Sequence, residues 1–228
     1  MRSAHPHPHV CFVSNRRRDS LLPLPELRLR ASDAEALAEL LPVLICGEES
    51  AGMVFAHLSQ VPDLAAAHAE LSRIEHDERE HARLLLQVRR TLPAARSDPA
   101  LSSAVRNFFL RLAERDVGRH LARIVALDSA VCLLLGALRH RRTTVGSEPT
   151  LGPLFGRIHR DEARHVLVAR HHTRRLVDGQ QAIAIARDTR SQLVELLTHR
   201  AAALEQLLRI DADRLFGRLR TPAPGLLG

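Results

Sequence analysis

Ile74-Glu75-His76-Asp77-Glu78-Arg79-Glu80-His81 and Ile158-His159-Arg160-Asp161-Glu162-Ala163-Arg164-His165 share the pattern Ile-x-x-Asp-Glu-x-x-His, the second copy 84 residues after the first. On a helix, a Glu and a His three residues apart sit on one face about a turn apart, so each copy aims an oxygen and a nitrogen at one point. Each copy is therefore read as half of a metal site. Helical bundles that hold two metal ions use such a pair from each of two helices and a single carboxylate from each of the other two.

The two single carboxylates follow from folding the chain back on itself. In an antiparallel helix pair, residues that meet are equidistant from the turn. Glu49 and Glu78 have their midpoint just after Pro62-Asp63, and Asp128 and Glu162 have theirs at Val145, within Thr143-Thr144-Val145-Gly146-Ser147. Both midpoints fall on Pro, Gly and Ser break signals. Glu49-Ser50-Ala51 matches Asp128-Ser129-Ala130, which favours Glu49 over its neighbour Glu48. Both glutamates fall on partly apolar stripes, so Glu48 stays the alternative. The predicted fold is all-α: two helical hairpins forming a four-helix bundle, with additional C-terminal helices.

Glu49, Glu78, His81, Asp128, Glu162 and His165 reproduce the order and spacing of the ferritin-like di-iron carboxylate superfamily over residues 32–178, and Gly47-Glu48-Glu49-Ser50 resembles the start of the first ligand helix of its rubrerythrin-like members. The resemblance implies those six residues as metal ligands and catalytic groups, and two Fe ions, or Mn or mixed Fe/Mn, as cofactor. It implies an oxidoreductase that uses O2 or peroxide on a small molecule, with an external electron donor. Asp128 departs from the usual Glu and is one methylene shorter. In this fold the Asp before a ligand Glu reaches the His of the partner repeat, so Asp77 is expected to orient His165, and Asp161 to orient His81. His159, three residues before Glu162 on the same face, is a candidate seventh ligand, with a helix-surface His as the alternative. Iron handling as a ferroxidase, tRNA-base hydroxylation (suggested by Glu162-Ala163-Arg164-His165) and a non-catalytic helical protein are the other readings.

Composition bounds these readings. All 33 basic residues are Arg, and the net charge is +7. The arginines are spread along helices and not interleaved with aromatics, which argues against nucleic-acid recognition. Without Lys there is no Schiff base, and without Tyr no stored tyrosyl radical, which excludes ribonucleotide reductase small-subunit chemistry. Cys11, Cys46 and Cys132 include no Cys-x-x-Cys pair, so no rubredoxin module is read. They are taken as scattered thiols of a reducing compartment, Cys46 and Cys132 as small core residues.

Residues 1–20 read as a disordered basic arm without a signal peptide, 21–178 as the di-metal bundle, 179–220 as covering helices and 221–228 as a tail. Within these, Ser32-Asp33-Ala34-Glu35 reads as a capping box, Pro42 as a kink or restart, and 180–207 as a single fifth helix. Apolar stretches interrupted by Arg and Asp predict no membrane span, and a cytoplasmic protein, as a homodimer, is the expectation. Phe55, Phe108, Leu133 and Leu154 are expected as apolar pocket walls.

Overall fold

The computed structural model describes residues 24–95, 98–223 and 225–227, and the expected basic arm at 1–20 lies outside them. The described residues are helical throughout, without a strand: α1 (Ala31–Leu58), a 3-10 segment (Pro62–Ala67), α2 (His68–Thr91), α3 (Pro99–Arg111), α4 (Val117–Leu138), α5 (Thr144–Ser147), α6 (Leu151–Leu176), α7 (Gly179–Thr198), α8 (Ala201–Leu208) and α9 (Ala212–Arg220). The most extensive packing joins α1 to α2 and α4 to α6; α7 lies along α4, and α8 lies on α1.

Local chemistry explains most boundaries. Asp98 accepts a hydrogen bond from Leu101 N, with Pro99 in the first turn, and so opens α3. Asp116 caps α4 in the same way through Arg119 N. Gly118 is required at that start, since a Cβ there would lie 2.5 Å from Val177 Cγ2. The end of α6 thus passes directly over the beginning of α4.

Three expectations are corrected. Residue Arg30 precedes α1, and neither it nor Ser32 caps the helix with a side chain. Asp33 instead turns inward, accepting from Arg30 Nε (2.8 Å), Gln206 Nε2 (2.7 Å) and Arg209 Nη2 (2.9 Å), and so anchors α1 to the end of α8. Pro42 does not divide α1; it is exposed, between the buried Leu41 and Val43, and packing on both sides keeps the helix continuous. The single fifth helix is two, broken at His199-Arg200, because only a turn there lets Leu204 and Leu207 pack into the core beside α1.

The 22-residue α4 is long and apolar enough, by length and composition, to cross a membrane, despite Arg123 and Asp128; 61% of its apolar window is buried inside the protein. Cys46 lies in the core, as expected, but as a disulfide-bonded residue and not as a free thiol. Cys132 is half-buried on α4, its thiol pushed up to about 12 by burial and by Glu162 and Asp128.

One buried cation was not legible in the periodicity. Arg190 of α7 is 1% exposed. It donates to Ala126 O and Ser129 Oγ of α4, and to Leu219 O and Thr221 O at the end of α9. It thereby holds α7 and α9 against the segment of α4 that carries Asp128. Removing the guanidinium strands these acceptors away from water, at about 1–3 kcal/mol for each one left unsatisfied. Arg190→Met is expected to lower unfolding free energy by about 2–4 kcal/mol, read by urea denaturation; a loss within about 0.5 kcal/mol would mean that the latch carries no weight.

Candidate metal centre

The buried stripe of α2 runs Leu71, Ile74, Glu78, His81, Leu85 and Val88, and that of α6 runs Phe155, Ile158, Glu162, His165, Val166 and Ala169. Each stripe is helical in period and apolar except for its Glu and His. The repeated motif therefore places two ionisable pairs where only apolar residues are cheap. Where α2 meets α6, the His81 and His165 rings stack with centroids 5.9 Å apart.

Carboxylates surround both histidines. His81 Nδ1 lies 3.1 Å from Glu48 Oε2, 3.3 Å from Glu162 Oε1 and 3.8 Å from Glu78 Oε2. His165 Nδ1 lies 2.8 Å from Glu78 Oε1 and 3.6 Å from Glu162 Oε1. Glu78 thus presents one oxygen to each histidine. Glu48, Glu78, His81 and Glu162 bring ligand atoms within 4.8 Å of one another, all four residues buried, and this group is able to hold a metal ion.

The outer nitrogens find the expected aspartates across the repeat. His81 Nε2 is 3.3 Å from Asp161 Oδ2, and His165 Nε2 is 3.5 Å from Asp77 Oδ2. A ring that donates Nε2–H to a carboxylate keeps the Nδ1 lone pair for a metal. Sequence reasoning missed Arg164, whose Nη2 bridges Asp77 Oδ2 (2.6 Å) and Asp161 Oδ1 (3.4 Å). The corresponding residue of the first repeat, Glu80, turns outward to Arg83. That Arg/Glu difference inside an otherwise repeated motif was the available signal.

The expected upstream carboxylates are placed unequally. It is Glu48 that joins the group, not Glu49, which is buried but outside it. The stripe Leu41, Leu44, Glu48, Ala51 and Phe55 faces inward, and Phe55 packs near the His165 ring at 6.2 Å. Asp128 is buried close enough for Glu162, Glu78, His165 and Glu48 to act on its charge, yet it is not in the four-residue group. His159 also lies outside it, half-buried on α6 with its ring beside Gly136 of α4.

A cavity of about 110 Å³ opens between α1 and α4. Its walls include Leu44, Val54, Leu127, Val131 and Leu134, and Glu48, Glu78, Asp128 and Glu162 reach it. None of the expected walls Phe55, Phe108, Leu133 and Leu154 lines it. The α4 face toward α1 is set by the i, i+4, i+7 series Leu127, Val131, Leu134, which points Leu133 elsewhere. Phe109 of α3 closes one side over Gly47, where a Cβ would lie 3.3 Å from the ring.

The donor set fits a divalent metal. Among the described residues, Glu78 Oε1, Glu162 Oε1, Asp128 Oδ2 and His165 Nδ1 are buried without a hydrogen-bond partner, the 2.8 Å approach of His165 Nδ1 to Glu78 Oε1 lacking hydrogen-bond geometry. Unpartnered buried oxygens and an imidazole nitrogen, all hard or borderline donors, suit Fe, Mn or Zn. Without a metal the cluster must neutralise itself. Burial and the Glu162 charge hold the Glu48 carboxyl well above its ordinary range, and Asp128 is raised for the same reasons. Burial opposes protonation of His81 and His165, but the carboxylates Glu162, Glu48 and Glu78 around the first, and Glu162 and Glu78 around the second, overcome it. His81 is raised strongly, and His165 to about 10. Burial would raise Glu78, yet the two histidines pull it down to about 2.

These shifts set the pH behaviour of metal-free protein. The His165 contribution is complete below its ordinary 6.5 and is lost as pH rises through about 10. The raised carboxyls Glu48 and Asp128 act in the same direction, since the fold prefers them neutral. Glu78 acts oppositely: its contribution is present above 4.5 and is lost toward about 2. Chelator-treated protein is therefore expected to be most stable in mild acid and to unfold at progressively lower temperature from pH 6 to 9, whereas metal-loaded protein holds its melting temperature. A metal-free melting temperature that climbed over that range would contradict the charge assignment.

No protein-family model, curated protein or solved structure matches this chain, so the chemistry has to be read from the site itself.

Proposed function

We propose that the chain is a ferritin-like di-metal carboxylate oxidoreductase that uses O2 or peroxide to oxidise a small molecule. In this reading α1 with α2 and α4 with α6 are the two hairpins of a four-helix bundle. The carrying observation is the convergence of Glu48, Glu78, His81 and Glu162 on one buried point, with His165 Nδ1 2.8 Å from Glu78 and with four buried polar atoms that, among the described residues, lack a hydrogen-bond partner.

Each residue has a part in this reading. Glu78 and Glu162, which stand between the histidines, would hold the ions together with His81 and His165 and with Glu48 and Asp128. Asp161 and Asp77 orient the histidines, and Arg164 holds the aspartates. When bound, a pair of Fe ions, or Fe with Mn, would supply the electrons that O2 or peroxide takes up. To serve as ligands, His81 and His165 would give up their Nδ1 protons, and Glu48 and Asp128 their carboxyl protons, to solvent. The α1–α4 cavity, apolar over most of its walls, would hold a substrate beside the carboxylates. Those mainly apolar walls favour the oxidation of a small molecule over the passage of hydrated iron.

Protein expressed with added iron is expected to carry near two metal ions per chain by elemental analysis, and to consume O2 when the Fe(II) form is mixed with it. Glu78→Ala and Glu162→Ala are each expected to lose the metal pair. Metal content equal to the parent in both variants, or no O2 uptake by the iron-loaded parent, would overturn the assignment.

A further inference from the structure

The two halves of the buried cluster are unequal. Around His81 Nδ1, three carboxylates approach within 3.8 Å, Glu48 closest at 3.1 Å. Around His165 Nδ1, only Glu78 and Glu162 come within 4.0 Å. Asp128 is the carboxylate that α4 brings beside the cluster, as Glu48 is the one that α1 brings to it. Unlike Glu48, among the described residues, it makes no ion pair within 4.0 Å of a histidine, and its Oδ2 is buried without a hydrogen-bond partner. The missing methylene shortens its reach by about 1.5 Å, and it projects from α4 at the cavity, where α1 and α4 stand apart.

The aspartates behind the histidines are unequal in the same sense. Arg164 lies 2.6 Å from Asp77 Oδ2, the oxygen that faces His165, but reaches Asp161 only at Oδ1, 3.4 Å away; Asp161 Oδ2, which faces His81, has the half-exposed Arg157 no nearer than 3.9 Å. Asp77 is therefore the more neutralised partner and makes His165 the poorer donor. Both differences weaken the same end of the cluster.

Resting on the di-metal reading above, we infer that the two metal positions differ in affinity and in openness. The position at His81 fills first, with four protein donors: Glu48, Glu78, His81 and Glu162. The position at His165 fills second, with Asp128 too short to close it, and keeps a coordination place open toward the α1–α4 cavity. A small anion or oxidant that enters the cavity meets the centre at this second position. The order also provides a route to mixed occupancy, since the tighter position takes the stronger binder of two available metals.

The test is anaerobic titration of the metal-free full chain with Co(II), followed by calorimetry and by the visible spectrum. The parent is expected to bind two equivalents in two steps, with dissociation constants separated by on the order of tenfold or more. Asp128→Glu has room beside the cavity for its extra methylene and is expected to tighten the second step and narrow that gap. Asp128→Asn, of unchanged size, should weaken the second step alone, and Glu48→Asp the first. Azide should alter the Co(II) spectrum only after the second equivalent is bound. Two equivalents with one indistinguishable constant, or two steps that Asp128→Glu leaves unchanged, would overturn the inference. If the parent binds a single equivalent, a second one recruited by Asp128→Glu supports it and none overturns it. Binding of no Co(II) would instead overturn the di-metal reading beneath it.

Discussion

Everything in this fold is arranged around the burial of Glu48, Glu78, Asp128, Glu162, His81 and His165 in one apolar interior. Ionised carboxylates taken out of water cost several kcal/mol each unless opposite charge repays them. Two imidazoles can balance only part of that charge. A sequence that keeps six such groups on the inner stripes of α1, α2, α4 and α6 requires a counter-charge there, by protons in the metal-free protein or by metal.

The helices distribute that problem unevenly. On the α2–α6 side the histidine rings stack, and their outer nitrogens meet Asp161 and Asp77, so this side is closed and hydrogen-bonded. On the α1–α4 side the carboxylates face a cavity, covered by Phe109 of α3 and by α7. Imidazoles toward the closed side and carboxylates toward the open one give the centre a direction: rigid support behind, room for a small molecule in front. Arg190 belongs to the same design, because it fixes α7 and α9 to α4 at Ala126 and Ser129, either side of Asp128.

The internal repeat is an approximate symmetry whose departures carry the specificity. Glu80 and Arg164 occupy corresponding places, yet one turns outward to Arg83 while the other ties together the aspartates behind both histidines. Glu48 reaches its histidine, whereas Asp128 stops short. The two Glu-His pairs thereby sit in different environments.

The helical class, the two Glu-His pairs and their cross-repeat aspartates were legible in the sequence. Helical period, spacing and capping chemistry are local, and they act within a turn or two of the residues that encode them. The choice of Glu48 over Glu49 was not, because adjacent residues differ by about 100° around a helix and both lie on apolar stripes. Only the packing of α1 against α2 decides which stripe turns inward. The continuity of α1 through Pro42, the break at His199-Arg200, the cavity walls and the partners of Arg190 and Arg164 were likewise set by tertiary packing. Each depends on what another helix, distant in the chain, brings to the same place, and no local pattern specifies that.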